Sequence, residues 1–328
     1  MTKSFVPAWW LSNTHVQTLW PSLFRKPIEL ARQRQRFETP DNDFFDVDWY
    51  GNGDKGIVML VHGLTGSSSS HYILGMQQAL AEQGYTTAAL NCRACSGEPN
   101  LKAGSYHAGF TQDIHQLYQA IHAKHPDTLI YSVGFSLGGN SMLKWLAEQA
   151  EHLDIQAAVA VSVPYKLANC ADRVDQGFSK VYRYHLISEM KSKLANKLAF
   201  FEAHAMQLEV DKLKALGDIT WIKSFWEFDH HVVAKLHGFK DVHDYYQQCS
   251  SIGYLKNINI PTLLIHAEDD PFTFPSVLPT KNELSESIQL LTTPNGGHVG
   301  FIDVSAQGKQ SFWLEHVISS YIKSGLRL

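Results

Sequence analysis

The sequence predicts an α/β fold: a mostly parallel central sheet flanked by helices, with a helical cap inserted late in the chain. Three observations carry that prediction. Short runs rich in β-branched residues alternate with longer helix-period segments, in the order that wraps helices around a parallel sheet. The runs are continuously apolar rather than alternating, as strands covered on both faces must be. A stretch of about ninety residues then breaks the alternation with helix-like, aromatic-rich sequence before strand patterns resume.

Taken in order, "IELARQRQRFET" (28–39) and "DFFDVDWY" (43–50) alternate polar and apolar residues, which suits an antiparallel pair at a sheet edge. The basic cluster "ARQRQRF" (31–37) reads as one exposed face of that edge strand rather than a phosphate site. Buried strands follow at "GIVMLVHG" (56–63), "YTTAALNC" (85–92), "DTLIYSVGF" (127–135) and "IQAAVAVSV" (155–163). Helix-period segments over 72–83, 110–125 and 140–150 lie between them. After Pro164 no buried-strand run occurs until "PTLLIHA" (261–267), and "IQLLTT" (288–293) comes next. The expected division is a core of residues 1–163 and 260–328, with an N-terminal arm over 1–28, and a cap over 164–259.

Composition narrows the function. With 44% hydrophobic and 18% charged residues, the 328-residue chain can bury a large core. A formal net charge of −4 gives no electrostatic footprint for nucleic acid. The N-terminus shows no secretory h-region, and nothing approaches the roughly 18 consecutive apolar residues of a membrane span. Four cysteines (Cys92, Cys95, Cys170, Cys249) are too few for a disulfide scaffold. The expected location is therefore cytoplasmic, with no integral membrane segment.

The chemistry begins at "GFSLG", where Gly134, Ser136 and Gly138 match G-x-S-x-G between a predicted strand and a predicted helix. That context is the one in which the motif builds a nucleophile elbow. A serine hydroxyl needs a base, and the base needs an orienting acid, in chain order Ser, Asp or Glu, His. Downstream, "HAEDDPF" supplies Asp269 and Asp270, and "PNGGHVGF" supplies His298 in a glycine-rich loop. Asp270, which precedes Pro271 and opens the loop, is the first choice of acid; Asp269 stays open as the alternative. Of the seventeen histidines, His298 alone sits in a loop after the final strand of the pattern. An oxyanion hole would draw on the backbone N–H of Leu137, just after the nucleophile, and of Leu64 in "HGLTG" (62–66). His62 stands too early in the chain for the base and reads as a structural residue of its loop.

"HGLTG" after a strand, "GFSLGG", "DDPF" and "GGHVGF", in that order, resemble the α/β-hydrolase superfamily. "SNTHVQT" (12–18), "NCRACSGEPN" (91–100) and "SYHAGFTQDI" (105–114) are similar to the YheT-like esterase family, bacterial relatives of mammalian ABHD-type lipid hydrolases. The likeness runs from about Val6 to Tyr321. It implies a carboxylic ester hydrolase working through an acyl-enzyme, with Ser136, Asp270 and His298 as its triad and no cofactor or metal. The sequence departs from the pattern at Ala94, where the family leads one to expect glycine. Membrane-anchored relatives carry a hydrophobic N-terminal segment that is expected to be missing here.

Other features receive plainer readings. Cys92-x-x-Cys95 lacks the pattern of a thiol-redox fold, and His230, His231 and His237 lack the spacing of a metal-binding helix. Asn13, His15 and Gln17 alternate, as if lining one side of an extended segment. Trp9, Trp10 and Trp20 are expected to pin the arm to the body. The aromatic cap points to short- or medium-chain acyl esters as substrates. A lipase or phospholipase, a thioesterase, or a non-catalytic binding protein are the alternatives, and the oligomeric state is left unassigned.

Overall fold

The computed structural model describes residues 5–7, 9–304 and 310–324. Its main sheet comprises β1 (Gln33–Glu38), β2 (Phe44–Tyr50), β3 (Ile57–Val61), β4 (Thr86–Asn91), β5 (Ile130–Phe135), β6 (Ile155–Val161), β7 (Thr262–Ala267) and β8 (Ile288–Thr293). In space they run β1-β2-β4-β3-β5-β6-β7-β8. The first two pairings, β1 with β2 and β2 with β4, are antiparallel, and all the others are parallel. The expected edge pair is thus present. Its arginines do more than face solvent: Arg34 and Arg36 lie directly opposite Asp48 and Asp46 and bind them bidentately, at 2.8–2.9 Å. Short, forked pairs of this kind fix cross-strand register.

Each inner strand is buried on both faces because alternate side chains serve different helix layers. Met59 and Val61 join Leu117, Met142 and Trp145 on one side, from α3 (Gln112–Lys124) and α4 (Leu137–Glu148). Val58 and Leu60 join Ile73, Leu80, Ile318 and Tyr321 on the other, from α2 (His71–Glu82) and the final helix of the chain, Trp313–Ser324. Helix α4 begins three residues earlier than its apolar period suggests, directly at the residue after Ser136.

The chain order reverses where β3 sits between β4 and β5, and at such a switch point a crevice opens beyond the carboxyl ends of the strands. The turns leaving β3, β5 and β7 and the loop after β8 all gather there. Between β6 and β7 the described structure is helical: α5 (Leu167–Val174), α6 (Ser179–Ala203), α7 (Gln207–Lys214), α8 (Phe225–Phe228), a π-helical turn (Asp229–Val233), α9 (Ala234–His237) and α10 (Val242–Cys249). A further element stands at the N-terminus. Residues Thr14–Phe24 form the first helix, α1, written αN for its place at the N-terminus and capped by the Asn13 side chain, which accepts from the N–H groups of His15 and Val16. The expected extended segment is therefore corrected: Asn13 is a helix cap, and Gln17 is buried while His15 faces α6. Trp10 packs edge-on against Trp20 but is half-exposed, so Trp20 does more of the pinning. The side chain of Trp9 lies outside the described ones. A small ribbon of Ile302–Val304 with Gln310–Phe312, which the sequence pattern did not signal, follows the loop of His298.

Candidate active site

The serine turn is sterically forced. Ser136 has φ +51° and ψ −122° between the end of β5 and the first residue of α4. A Cβ on Gly134 would come within 2.6 Å of the Gly139 Cα, and one on Gly138 within 2.2 Å of the His62 carbonyl oxygen. Only glycine fits at either place, which answers why the motif brackets its serine so closely. Non-glycine backbone in this region costs on the order of 1–3 kcal/mol and persists where the surroundings fix it; the Ser136 N–H donates to the Val161 carbonyl at 2.8 Å. The hydroxyl thus stands at the N-terminus of a helix, where developing negative charge is favoured.

The three distant residues singled out in the sequence meet. Ser136 Oγ lies 2.9 Å from His298 Nε2, and His298 Nδ1 lies 2.8 Å from Asp270 Oδ2. An ionised carboxylate can only accept, so Nδ1 carries the proton and Nε2 is left to accept from the serine hydroxyl. Asp270 is 2% exposed, and its other oxygen accepts the Phe272 N–H at 2.8 Å. Burial opposes its charge, but facing His298, then His266 and the Phe272 N–H, outweigh that and hold the carboxyl below its ordinary range. The Phe272 ring stacks on the His298 imidazole at 4.2 Å between centroids, and Tyr182 of α6 stacks on Phe272 in turn.

Asp269 points elsewhere. Its Oδ1 accepts the Gly297 N–H at 2.9 Å and its carbonyl accepts the Thr14 hydroxyl at 2.6 Å. Burial lifts its carboxyl above the usual value, with the Gly297 and Asn295 donors opposing. Of the two aspartates, the structure brings Asp270 to the imidazole and sets Asp269 to hold the loop.

The turn after β3 lies against the serine: a Cβ on Gly63 would sit 3.1 Å from the Ser136 Cβ. The Gly63 N–H donates to the Tyr72 hydroxyl at 3.0 Å and the Thr65 N–H to the Tyr106 hydroxyl at 2.8 Å. Both neighbours of Leu64 are thereby engaged by phenols, while the Leu64 N–H takes no partner among the described residues. His62 braces the same turn. Its Nδ1–H donates to the Gly63 carbonyl at 2.7 Å, its Nε2 accepts the Cys92 N–H at 3.1 Å, and burial pushes its pKa down to about 4. Ala94 adopts φ +64°, the left-handed conformation for which glycine is the natural residue. The departure noted in the sequence is therefore a backbone matter.

These groups open onto a cavity of about 380 Å³. Ser136, His298 and Leu64 line it from the sheet side, and Leu186, Met190 and Phe228 from the helices between β6 and β7. His237 reaches its wall beside His107, 4.6 Å between ring centroids. Among the described residues no three His, Cys, Asp or Glu side chains group to hold a metal ion. Nor is any described helix long and apolar enough to cross a membrane. Sequence reasoning passed over Tyr72, Tyr106, Phe272 and the two threonines of αN, Thr14 and Thr18. Only the threonines left a usable trace, a four-residue spacing that puts both on one helix face.

A parallel sheet with its switch-point crevice, a strained serine turn and a serine–histidine–aspartate contact define an α/β hydrolase of the esterase and lipase type. The chain belongs to the α/β-hydrolase family: the family model described as alpha/beta hydrolase fold matches residues 56–304. It is 36% identical over 329 residues to the protein named "Putative esterase YheT" of Escherichia coli, covering 99% of this chain and 94% of that one. It is also similar to phospholipase ABHD3 of Bos taurus, at 26% over 336 residues and 99% and 79% coverage. Monoacylglycerol lipase ABHD2 of Danio rerio matches at 28% over 341 residues, with 98% and 80% coverage. Among solved structures, the Pyrococcus furiosus esterase Pf2001 superposes with a TM-score of 0.56 over 99% of both chains at 17% identity, a likeness of fold. The chain is an enzyme of the serine hydrolase class.

Proposed function

We propose that this enzyme cleaves carboxylic esters through an acyl-enzyme, with Ser136 as nucleophile, His298 as general base and Asp270 as the orienting acid. The observation that carries the reading is the continuous contact from Ser136 Oγ through His298 to Asp270, at 2.9 and 2.8 Å. As Ser136 Oγ bonds to the carbonyl carbon, its proton passes to His298 Nε2. Asp270 stabilises the imidazolium that results and keeps the ring in the correct tautomer. The carbonyl oxygen, now negative, is met by the N–H groups of Leu137 and Leu64. Collapse expels the alcohol with the proton from His298. Water then attacks the acyl-enzyme with His298 as base, releasing the acid and restoring the hydroxyl. None of these steps requires a cofactor.

We treat residues 164–259 as a cap over the crevice, since α6 and the π-helical turn supply one wall of the cavity. Its apolar lining suits an acyl group of short or medium length. Free thiols at all four cysteines fit a reducing, cytoplasmic setting. A second reading is a lipid substrate, an acylglycerol or phospholipid, favoured by the names of the ABHD relatives and by a cavity whose lining follows α6 from Tyr182 to Lys197.

Labelling with a fluorophosphonate probe tests the mechanism: Ser136 is modified in the wild-type enzyme and labelling is lost in Ser136→Ala. An unlabelled wild-type enzyme overturns it. p-Nitrophenyl esters from acetate to palmitate test the acyl preference, with a palmitate optimum favouring the lipid reading.

A further inference from the structure

The loop that carries His298 is under backbone strain, and its own Phe301 N–H to Gly296 carbonyl bond at 3.0 Å is only part of what holds it. Val299 and Phe301, neither of them glycine and one β-branched, adopt φ +57° and +45°. Such conformations survive only where surrounding contacts over-determine them. Some of those contacts come from the sheet, where the Ser162 hydroxyl accepts the Val299 N–H at 3.1 Å. The final helix adds the Trp313 N–H, which donates to the Phe301 carbonyl at 3.1 Å, and further contacts come from αN, nearly the whole chain length away.

Two side chains of αN meet the loop, and a third meets Asp269, which holds it. The Thr18 hydroxyl accepts the N–H of His298 itself at 3.0 Å and donates to the Thr14 carbonyl at 2.8 Å, so its direction is set by the helix. The Thr14 hydroxyl donates to the Asp269 carbonyl at 2.6 Å, and Asp269 in turn holds the Gly297 N–H. Gln17, with no exposed surface, accepts the Ile302 N–H at 2.8 Å and donates to the Ile302 carbonyl at 3.1 Å, closing the far end of the loop. The approach is as close as it can be. A Cβ on Gly297 would lie 2.6 Å from the Thr18 hydroxyl oxygen, and one on Gly300 2.2 Å from the Gln17 carbonyl oxygen. Glycines at both positions therefore serve the contact with αN.

We propose that Thr18, seated by Thr14 and Gln17, is a positioning residue for the general base: αN fixes the backbone of His298 so that Nε2 meets the serine hydroxyl. The inference rests on the reading of His298 as base and assigns part of the catalytic geometry to a helix that precedes the sheet. A loop free to settle by a fraction of an ångström would keep the cavity and lose the alignment, which lowers kcat and leaves KM in place.

The test compares Thr18→Val, which keeps the shape and loses the acceptor, with Thr18→Ser, which keeps the acceptor, on p-nitrophenyl butyrate. Thr18→Val is expected to lower kcat about tenfold with KM within about twofold, and Thr18→Ser to recover most of the rate. Wild-type kcat in Thr18→Val overturns the proposal. So does an equal loss in both variants with KM rising in step, since Thr18 lines the cavity and that pattern would mark a substrate contact. Should Thr18→Val fail to fold, Thr14→Val carries the test, with a smaller kcat loss expected and an unchanged kcat overturning it. Failure of the parent reading looks different: the wild-type enzyme would then resist the fluorophosphonate, whatever the threonine variants do.

Discussion

The Nδ1 atom of His298 lies 2.8 Å from Asp270 Oδ2, while the adjacent carboxylate of Asp269 is turned to the Gly297 N–H. Two neighbouring acids with near-identical sequence credentials therefore have separable duties. An asparagine in place of Asp270 can donate to Nδ1 and so favours the wrong imidazole tautomer. We expect Asp270→Asn to lower kcat by about 10³–10⁴. Asp269→Asn still offers an oxygen to Gly297 and should lose only a few-fold in rate. Steady-state kinetics of the two purified variants decide the matter; a larger loss in Asp269→Asn would reverse the assignment.

Tyr106 has no sequence signature of catalysis, yet its hydroxyl accepts the Thr65 N–H beside the proposed oxyanion donor. Tyr106→Phe removes that acceptor and leaves a backbone donor unmet, at a cost of about 1–3 kcal/mol. Thr65 sits at φ +58°, so the turn has strain to release when its partner goes. The rate on p-nitrophenyl butyrate should fall roughly tenfold, in line with misdirecting one oxyanion N–H without deleting it. An unchanged kcat would detach the phenol from the chemistry.

Ala94 pays a conformational penalty that its family's expected glycine would not, at φ +64°. The left-handed region costs an alanine about 1–2 kcal/mol, offset in part by the greater unfolded-chain entropy of glycine. Ala94→Gly should stabilise the fold by about 0.5–1 kcal/mol and leave the catalytic constants alone. Denaturant titration of the two proteins measures it, and a destabilised glycine variant would contradict the strain argument.

The parts of this molecule that were legible in sequence are those whose physics is local. Continuous apolar runs reveal strands covered on both faces, and the glycines around Ser136 reveal a turn that tolerates no side chain. Chain order and loop position then brought His298 and Asp270 into consideration. What stayed hidden depends on tertiary approach. The Thr18–His298 contact joins residues 280 positions apart, and nothing in "SNTHVQT" announces its partner. The alternation of Asn13, His15 and Gln17 mimics a strand period, and it is the Asn13 side chain, capping the first N–H groups, that turns the segment into a helix. The arginine-rich strand is exposed at the sheet edge as its sequence indicates, but its aspartate partners lie on the next strand and stay hidden for a similar reason.

Acid should unfold this enzyme earlier than its carboxylates alone would require. His62, His71, His237 and His266 are buried enough to push their pKa values down to about 4, and His107 to about 3. In the unfolded chain each would return to the ordinary value near 6.5. Between those limits the unfolded state binds protons that the folded state refuses, so stability rises with pH across the window. The contribution is fully present above pH 6.5 or so and is lost as pH falls from there toward 4. Each proton taken up adds about 1.4 kcal/mol per pH unit to the slope, so even two or three make the decline steep. Asp270 acts in the same direction at lower pH, because its depressed carboxyl must be protonated before its hold on His298 is lost. Urea midpoints measured from pH 7.5 to 4.5 should fall by an amount that demands uptake of more than one proton per molecule. A flat profile down to pH 5, with the decline beginning only in the carboxylate range, would mean that these histidines titrate normally in the folded protein.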